Sequence, residues 1–539
     1  MKNRNIIVFL PIIIAVTLII GVFLGQRMAI VSFASVFNTE KSNQTNKLNQ
    51  VINFIKSDYV DSVKENWIVE ETINGILHKL DPHSAYIPGE QFHEANDPLE
   101  GNFDGIGVEF RIQSDTVVVV KPISGGPSEK VGLMAGDRIV KVEDEEISGK
   151  ELNNAKVMKL LKGPKGTKVN VGVKRSGVEN ILNFIIKRDE IPINSLESSY
   201  MINDTVGYIK IIRFAKTTYD EFMDAAENLR QNGMKCLVLD LRSNSGGYLN
   251  AATKLADEFL PKGKLIVYTE GKARAREDFY ASSKGEYEKT PLIVLINEGS
   301  ASASEILAGA LQDNDRGLIV GRRSFGKGLV QEPMQWSDGS QIRLTVARYY
   351  TPTGRCIQRP YTEGMEAYND DYYSRIESGE LFSADSIHFS DSLKFYTKAG
   401  KVVYGGGGIM PDVFIPIDTI GSSNYYARLN YSGLFYLFGF EYTDKHREEL
   451  MSSLKENTFI KKYQVDEKTF QEFVELAAKN GIEYNNKEAI DSKEIIKNRI
   501  KAAIGRNLFG NNIYYQIINK EDNSLQKSVQ LFKKEKLAI

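Results

Sequence analysis

Strand-like and helix-like patterns alternate from residue 193 to about residue 417, and that alternation restricts the fold more than any other feature of the sequence. Residues 206–212, 236–241, 265–268, 292–296 and 318–320 read as strands; residues 219–231, 249–260 and 302–311 read as amphipathic helices. Strands separated by helices build layered α/β proteins, because each helix buries its apolar face on the sheet. The chain has 539 residues, enough for about three or four domains. With 42% hydrophobic and 26% charged residues it is ordinary globular protein in bulk, which excludes a disordered, collagenous or multi-span membrane chain. The 68 basic and 70 acidic residues leave a net charge of −2, so no nucleic-acid partner is expected.

One segment departs from that character. Residues 6–25 read IIVFLPIIIAVTLIIGVFLG without a charge. Twenty helical residues span about 30 Å, the hydrocarbon thickness of a bilayer. Lys2 and Arg4 precede the run, which keeps the N-terminus cytoplasmic. The expectation is an uncleaved single-pass anchor over residues 1–30, in the inner (cytoplasmic) membrane, with the bulk of the chain on the periplasmic side. A cleaved signal peptide is the rival reading, although its apolar region is usually shorter, about 7–15 residues.

The remaining boundaries follow changes of pattern. Residues 40–98 hold two amphipathic helices ended by Asp81-Pro82-His83. Residues 99–177 form a compact module with strands at 107–112, 116–120 and 168–174, a turn followed by a strand within 133–142, and a helix at 152–161. Residues 190–420 are the α/β region, within which 361–398 is acidic, aromatic-rich and aperiodic and reads as a surface excursion. Residues 421–539 read as a helical C-terminal extension without evident chemistry.

Four segments could carry chemistry. In NEGSASASEILAGALQD, residues 297–313, three serines sit where a buried strand turns into a helix. Ser302 there is either an N-cap or a nucleophile, since free N–H groups and the positive helix end favour a developing oxyanion. In RRSFGKGLVQ, residues 322–331, Lys327 lies between two glycines with apolar neighbours, and Gln331 is placed to orient its amine. A lysine acts as a base only when neutral, and only about 0.1% is neutral near pH 7.5 at an unperturbed pKa, so burial must lower it. Otherwise Lys327 is a surface side chain. Gly321 to Lys327 also has the spacing of a phosphate loop, but Gly328 stands where a magnesium ligand belongs and a strand follows instead of a helix. The turn at Gly246-Gly247 could offer amides to an oxyanion, and Gly105-Ile106-Gly107-Val108 could present amides to a carboxylate. No His-Glu-x-x-His, Cys-x-x-Cys or Gly-x-Ser-x-Gly occurs, and the two cysteines, Cys236 and Cys356, build no metal site, so neither a metal nor a cofactor is expected.

Taken together, LDPHSAY (80–86), GIGVEF with GGPSEKVGLMAGDRIVKV, DLRSNSGG, the serine block, the lysine block and GGGGIMPDV resemble the carboxy-terminal processing peptidases, the tail-specific serine peptidases of family S41. The resemblance covers roughly residues 45–420. It implies a PDZ domain ahead of a crotonase-like α/β peptidase core, with Ser302 as nucleophile, Lys327 as base, Gln331 orienting it and Asp313 as a further acidic position. It implies oxyanion donors at Ala303 and the Gly246-Gly247 turn, and a groove at Gly105 to Val108 that takes the apolar C-terminal tail of protein substrates. A homo-oligomer or an adaptor protein is left open. Two other classes compete: a membrane-anchored, non-catalytic PDZ scaffold, and a hydrolase dependent on His83 or His388.

Overall fold

A computed structural model describes residues 42–113, 115–147, 149 and 152–534. The expected anchor at residues 1–30 lies outside them, and among the described residues no helix is long and apolar enough to cross a membrane. The chain divides after Leu80. The first unit presents two helices, Ser42–Asp58 and Glu65–Leu80, with Lys56 and Glu65 ion-paired at 2.5 Å.

Residues 81–98, grouped with those helices on sequence, belong instead to the second unit. The strand Ala85–Ile87 pairs antiparallel with Gln341–Tyr350, Ala85 opposite Arg343, and the helix Phe92–Glu100 follows. A three-residue strand is too short to display a period.

The small module is a six-stranded sheet in the order Val108–Gln113, Thr116–Pro122, Arg138–Val142, Lys168–Lys174, Leu182–Lys187, with Glu145–Glu146 beside Arg138–Val142. Val117 and Val119 point into its core with Ile139, Val171 and Val157 of the helix Asn154–Leu161. Val118 and Val120 point the other way and are buried too, against Phe440. A strand buried on both faces loses the alternation of a half-buried one, which explains the unbroken run of four valines.

The α/β core is a second six-stranded sheet, in the order Leu196–Met201, Val206–Ile211, Cys236–Asp240, Leu292–Ile296, Leu318–Gly321, Val413–Phe414. The first pair is antiparallel and the rest are parallel. The helices Thr218–Gln231, Leu249–Asp257 and Ala303–Asp313 bury Phe222, Leu255 and Leu307 on one face, against Leu237, Leu239, Val294 and Ile296. The strand expected at residues 265–268 is not part of this sheet. As Leu265–Glu270 it joins a separate antiparallel one with Glu277–Tyr280, Gln341–Tyr350 and Leu329–Gln335.

The C-terminal helices are no appendage. The other face of the core sheet, with Tyr208, Val238, Ile293 and Val320, is covered by Leu525 and Leu531 of the helix Asn523–Lys534. The helix Leu434–Ser453 lies on the outer face of the small module, where Tyr436 donates to Glu109 at 3.1 Å and Gln113 donates to Glu441 at 2.7 Å. Periodicity reveals that a helix has an apolar face; it does not reveal which surface that face covers.

Candidate active site

Ser302 closes the turn between the buried strand Leu292–Ile296 and the helix Ala303–Asp313. Its φ is +53°, ψ −113°, a conformation costly for a residue with a Cβ and typical of functional turns. Two neighbours hold it. Glu305, one helical turn on, accepts the Ser302 N–H at 2.8 Å. Gly246, at φ +99°, lies against it so closely that a Cβ there would come within 2.8 Å of Ser302 Cβ. The positive end of the helix therefore faces a cleft of about 740 Å³ lined by Ser302, Gly246, Gly247, Lys327, Gln331 and Tyr349, among others.

Lys327 enters that cleft from the loop between the strands Leu318–Gly321 and Leu329–Gln335. Its amine donates to Gln331 Oε1 at 3.0 Å, and Gln331 Nε2 donates to the His83 carbonyl. Burial pulls the Lys327 pKa below its usual 10.5, helped by Arg343 and opposed by Asp81 and Glu305. In this structure the amine is bonded to Gln331, and among the described residues no hydrogen bond joins it to Ser302 Oγ.

Glu305 unites the two loops. It is 1% exposed, and besides Ser302 it accepts from Ser324 Oγ at 2.5 Å, Gly326 N–H at 2.7 Å and Lys327 N–H at 2.9 Å. Burial pushes its carboxyl up to about 7 against the pull of these donors. Its role is not evident from the residue pattern alone. The signal was present locally, since Ser302 and Glu305 have capping-box spacing, but its bonds to residues 324–327 are long-range. The same holds for Tyr349: its buried hydroxyl lies 3.2 Å from the Ser302 carbonyl and also reaches that of Lys327.

Of the oxyanion candidates, Ala303 is the first helical residue, whose N–H has no intrahelical acceptor. Gly246 does not fit the role: its N–H donates to Asn244 Oδ1 at 2.9 Å, an Asx turn within Ser-Asn-Ser-Gly. Gly247, at φ +147°, must be glycine because a Cβ would fall 2.0 Å from the Phe214 carbonyl oxygen. Asp313 is not brought to the cleft. It ends the helix ten residues beyond Ala303, about 15 Å along the axis, and forms a buried pair with Arg355 at 2.6 Å. A structural anchor, not a catalytic acid, is what this geometry supports.

Neither His83 nor His388 lines the cleft. The His83 ring shares a hydrogen bond with Tyr368 at 2.8 Å, and burial, with Lys327 and Arg359 nearby, lowers its pKa to about 4. The phosphate-loop reading also fails, because Gly328 leads into the strand Leu329–Gln335 where a helix N-terminus is required.

The small module carries a second groove, of about 330 Å³. Ile106, Gly107, Val108, Phe110, Met158 and Leu161 line it. Gly105 does not; it pairs with Asp189 in the ladder between Asn102–Gly105 and Asp189–Pro192. The Ile106 carbonyl is fixed by Ser128, which donates from N at 3.0 Å and from Oγ at 2.6 Å.

Comparison with known proteins gives four matched regions. Residues 205–366 match peptidase family S41, 105–186 a PDZ domain, 26–91 the N-terminal domain of the activating protease CtpB, and 425–510 a family of unknown function. The chain is 36% identical over 345 residues to the carboxy-terminal-processing protease of Bartonella bacilliformis, spanning 63% of this chain and 78% of that one. It is 33% identical over 360 residues to the carboxy-terminal processing protease CtpB of Bacillus subtilis, spanning 66% and 73%. Among solved structures it is similar to a photosystem II D1 C-terminal processing protease, at 28% identity and a TM-score of 0.36, covering 71% of this chain and 89% of that one.

Proposed function

Because the chain belongs to the carboxy-terminal processing proteases of family S41, serine-type peptidases carrying a PDZ domain, we propose that Ser302 is its nucleophile and Lys327 its general base. The observation that carries this reading is the shared cleft, lined both by a half-buried lysine whose amine is held by Gln331 and by a strained serine at a helix N-terminus. Lys327, neutral, takes the Ser302 proton as Oγ adds to the scissile carbonyl carbon. The tetrahedral oxyanion is held by the N–H groups of Ala303 and Gly247. The Lys327 ammonium then protonates the departing amine, leaving an ester on Ser302. Lys327 next takes a proton from water as its oxygen attacks the ester carbon, then returns that proton to Ser302 Oγ as the C–Oγ bond breaks and the acid is freed. Ser302 and Lys327 draw together as substrate enters, as catalytic hydrogen bonds commonly tighten in the substrate complex.

Substrates are polypeptides whose apolar free C-terminus lies in the PDZ groove, carboxylate on the amides of Ile106, Gly107 and Val108, side chains against Phe110, Met158 and Leu161. Residues 6–25 anchor the enzyme in the inner membrane, with the peptidase outside the cytoplasm.

The deciding assay uses the full chain in detergent with an unstructured protein ending in an apolar tail, beside the same protein with a charged tail. The apolar tail is expected to be cleaved at least about tenfold faster, the worth of burying one or two methylenes and avoiding a desolvated charge. Equal rates would refute delivery through the groove. No cleavage of either would revive the scaffold reading.

The pH dependence has a definite sign. Protonated Lys327 is inactive, so kcat/KM rises with pH through a limb below the usual lysine value of 10.5, because burial lowers that pKa. Activity is lost on the acid side of the limb. Lys327→Ala removes the limb together with the activity. Cleavage that survives in Lys327→Ala, with the limb in place, would give the base to another residue.

A further inference from the structure

The loop carrying Lys327 has no regular secondary structure between Gly321 and Leu329, yet a base must be held to within a fraction of an ångström. Glu305 holds it from the helix side. The Gly405 to Gly408 turn holds it from a second side, where Ser324 Oγ receives the Ile409 N–H at 2.6 Å. The third support comes from the segment that read as a surface excursion.

Arg375, in the helix Asp371–Glu377, is only 3% exposed. Its guanidinium spans three successive loop carbonyls: Nη1 donates to Ser324 O at 2.9 Å and Arg323 O at 3.3 Å, and Nη2 to Phe325 O at 3.2 Å. Asp371 balances its charge at 2.7 Å. Arg359 lies over both the Phe325 ring, at 4.2 Å, and the Tyr368 ring, at 3.8 Å. Tyr368 bonds the His83 ring at 2.8 Å, and the His83 carbonyl receives Gln331, whose Oε1 holds the Lys327 amine. The segment thus reaches Lys327 along two routes, one through the loop backbone and one through Gln331. The S41 match ends at residue 366, so Tyr368 and Arg375 lie beyond the part of the chain that it covers.

We propose that residues 361–398 brace the lysine loop and that Arg375 is a positioning residue for peptide hydrolysis. The proposal rests on the reading of Lys327 as the base. A planar guanidinium can serve three carbonyls at once; an ammonium cannot match that fork.

The test compares full-length Arg375→Ala, Arg375→Lys, Lys327→Ala and Tyr373→Ala, the last an exposed position on the same helix. Arg375→Ala is expected to lower kcat about 10- to 100-fold, the worth of a charge-assisted hydrogen-bond set. KM should change less than about threefold, because the groove and cleft walls are untouched. The acid limb should move to higher pH as the loosened loop lets water reach Lys327. Millimolar guanidinium should restore part of the rate, and Arg375→Lys should fall between parent and Arg375→Ala. Tyr373→Ala should match the parent. If Arg375→Ala does not fold, as judged by circular dichroism, the kcat and limb of Arg375→Lys decide. Parental kcat in the folded Arg375 variants would overturn the brace, as would a loss with an unmoved limb and no rescue. Should Lys327→Ala remain active, the assignment of the base itself would fall, whatever the Arg375 variants do.

Discussion

Replacing Ser302 with alanine is expected to lower kcat by about 10⁴-fold or more while leaving the fold in place, since loss of a serine nucleophile removes the covalent route entirely. The substitution is mild in every other respect. Alanine keeps the Cβ that packs against Gly246, and the bond from the residue 302 N–H to Glu305 belongs to the backbone and survives. The strained φ of +53° costs alanine about what it costs serine. Circular dichroism and kcat measured on one preparation check both halves. A folded Ser302→Ala enzyme that retained even one part in a hundred of the parental rate would rule out the nucleophile assignment.

Loss of Glu305 should be nearly as severe, for a different reason. Four donors converge on this buried carboxylate: the N–H groups of Ser302, Gly326 and Lys327, and Ser324 Oγ. Glu305→Ala strands all of them, and each buried unsatisfied donor costs about 1–3 kcal/mol. Several kcal/mol of stability should disappear, a large share of what holds a domain together. Glu305→Gln keeps the shape but turns an amide N–H₂ toward donors, so it should fold poorly as well and lose most activity. The carboxyl, raised by burial to about 7, also has a signed effect on stability. The native state holds this proton more tightly than the unfolded chain. The contribution is therefore full below about 4.5 and is lost as pH rises through about 7. Denaturant midpoints at pH 5 and pH 8 for parent and Glu305→Gln should differ by this slope. Parental stability and activity in Glu305→Ala would dismiss the clamp.

The four inner strands of the central sheet were legible as short apolar runs and the helix after Ser302 by its period, whereas the edge strands Leu196–Met201 and Val413–Phe414 were not. The serine and lysine blocks were legible as a resemblance, and the structure brings both into one cleft. What stayed hidden was the partner of each polar residue. Asp313 reads as a candidate acid until Arg355, 42 positions away, is found against it. The Gly246 amide reads as free until Asn244 is seen to occupy it. Residues 361–398 lack periodicity because their role is carried by a few charged and aromatic side chains, Arg375 and Tyr368 among them, rather than by an apolar stripe. Polar pairings of this kind depend on three-dimensional proximity and leave no mark on spacing.

The covering of the core sheet by the helix Asn523–Lys534 sets an order in time. Tyr200, in the sheet, accepts a hydrogen bond from Asn519, 319 positions later. Polypeptide emerges from the ribosome at about 5–20 residues per second, so the strand Val206–Ile211 waits on the order of 15–60 s before its second face can be covered. Until that helix has been made, the face carrying Tyr208, Val238, Ile293 and Val320 stays uncovered. A truncated message would release a polypeptide that contains Ser302 and Lys327 but has only half of its central sheet packed.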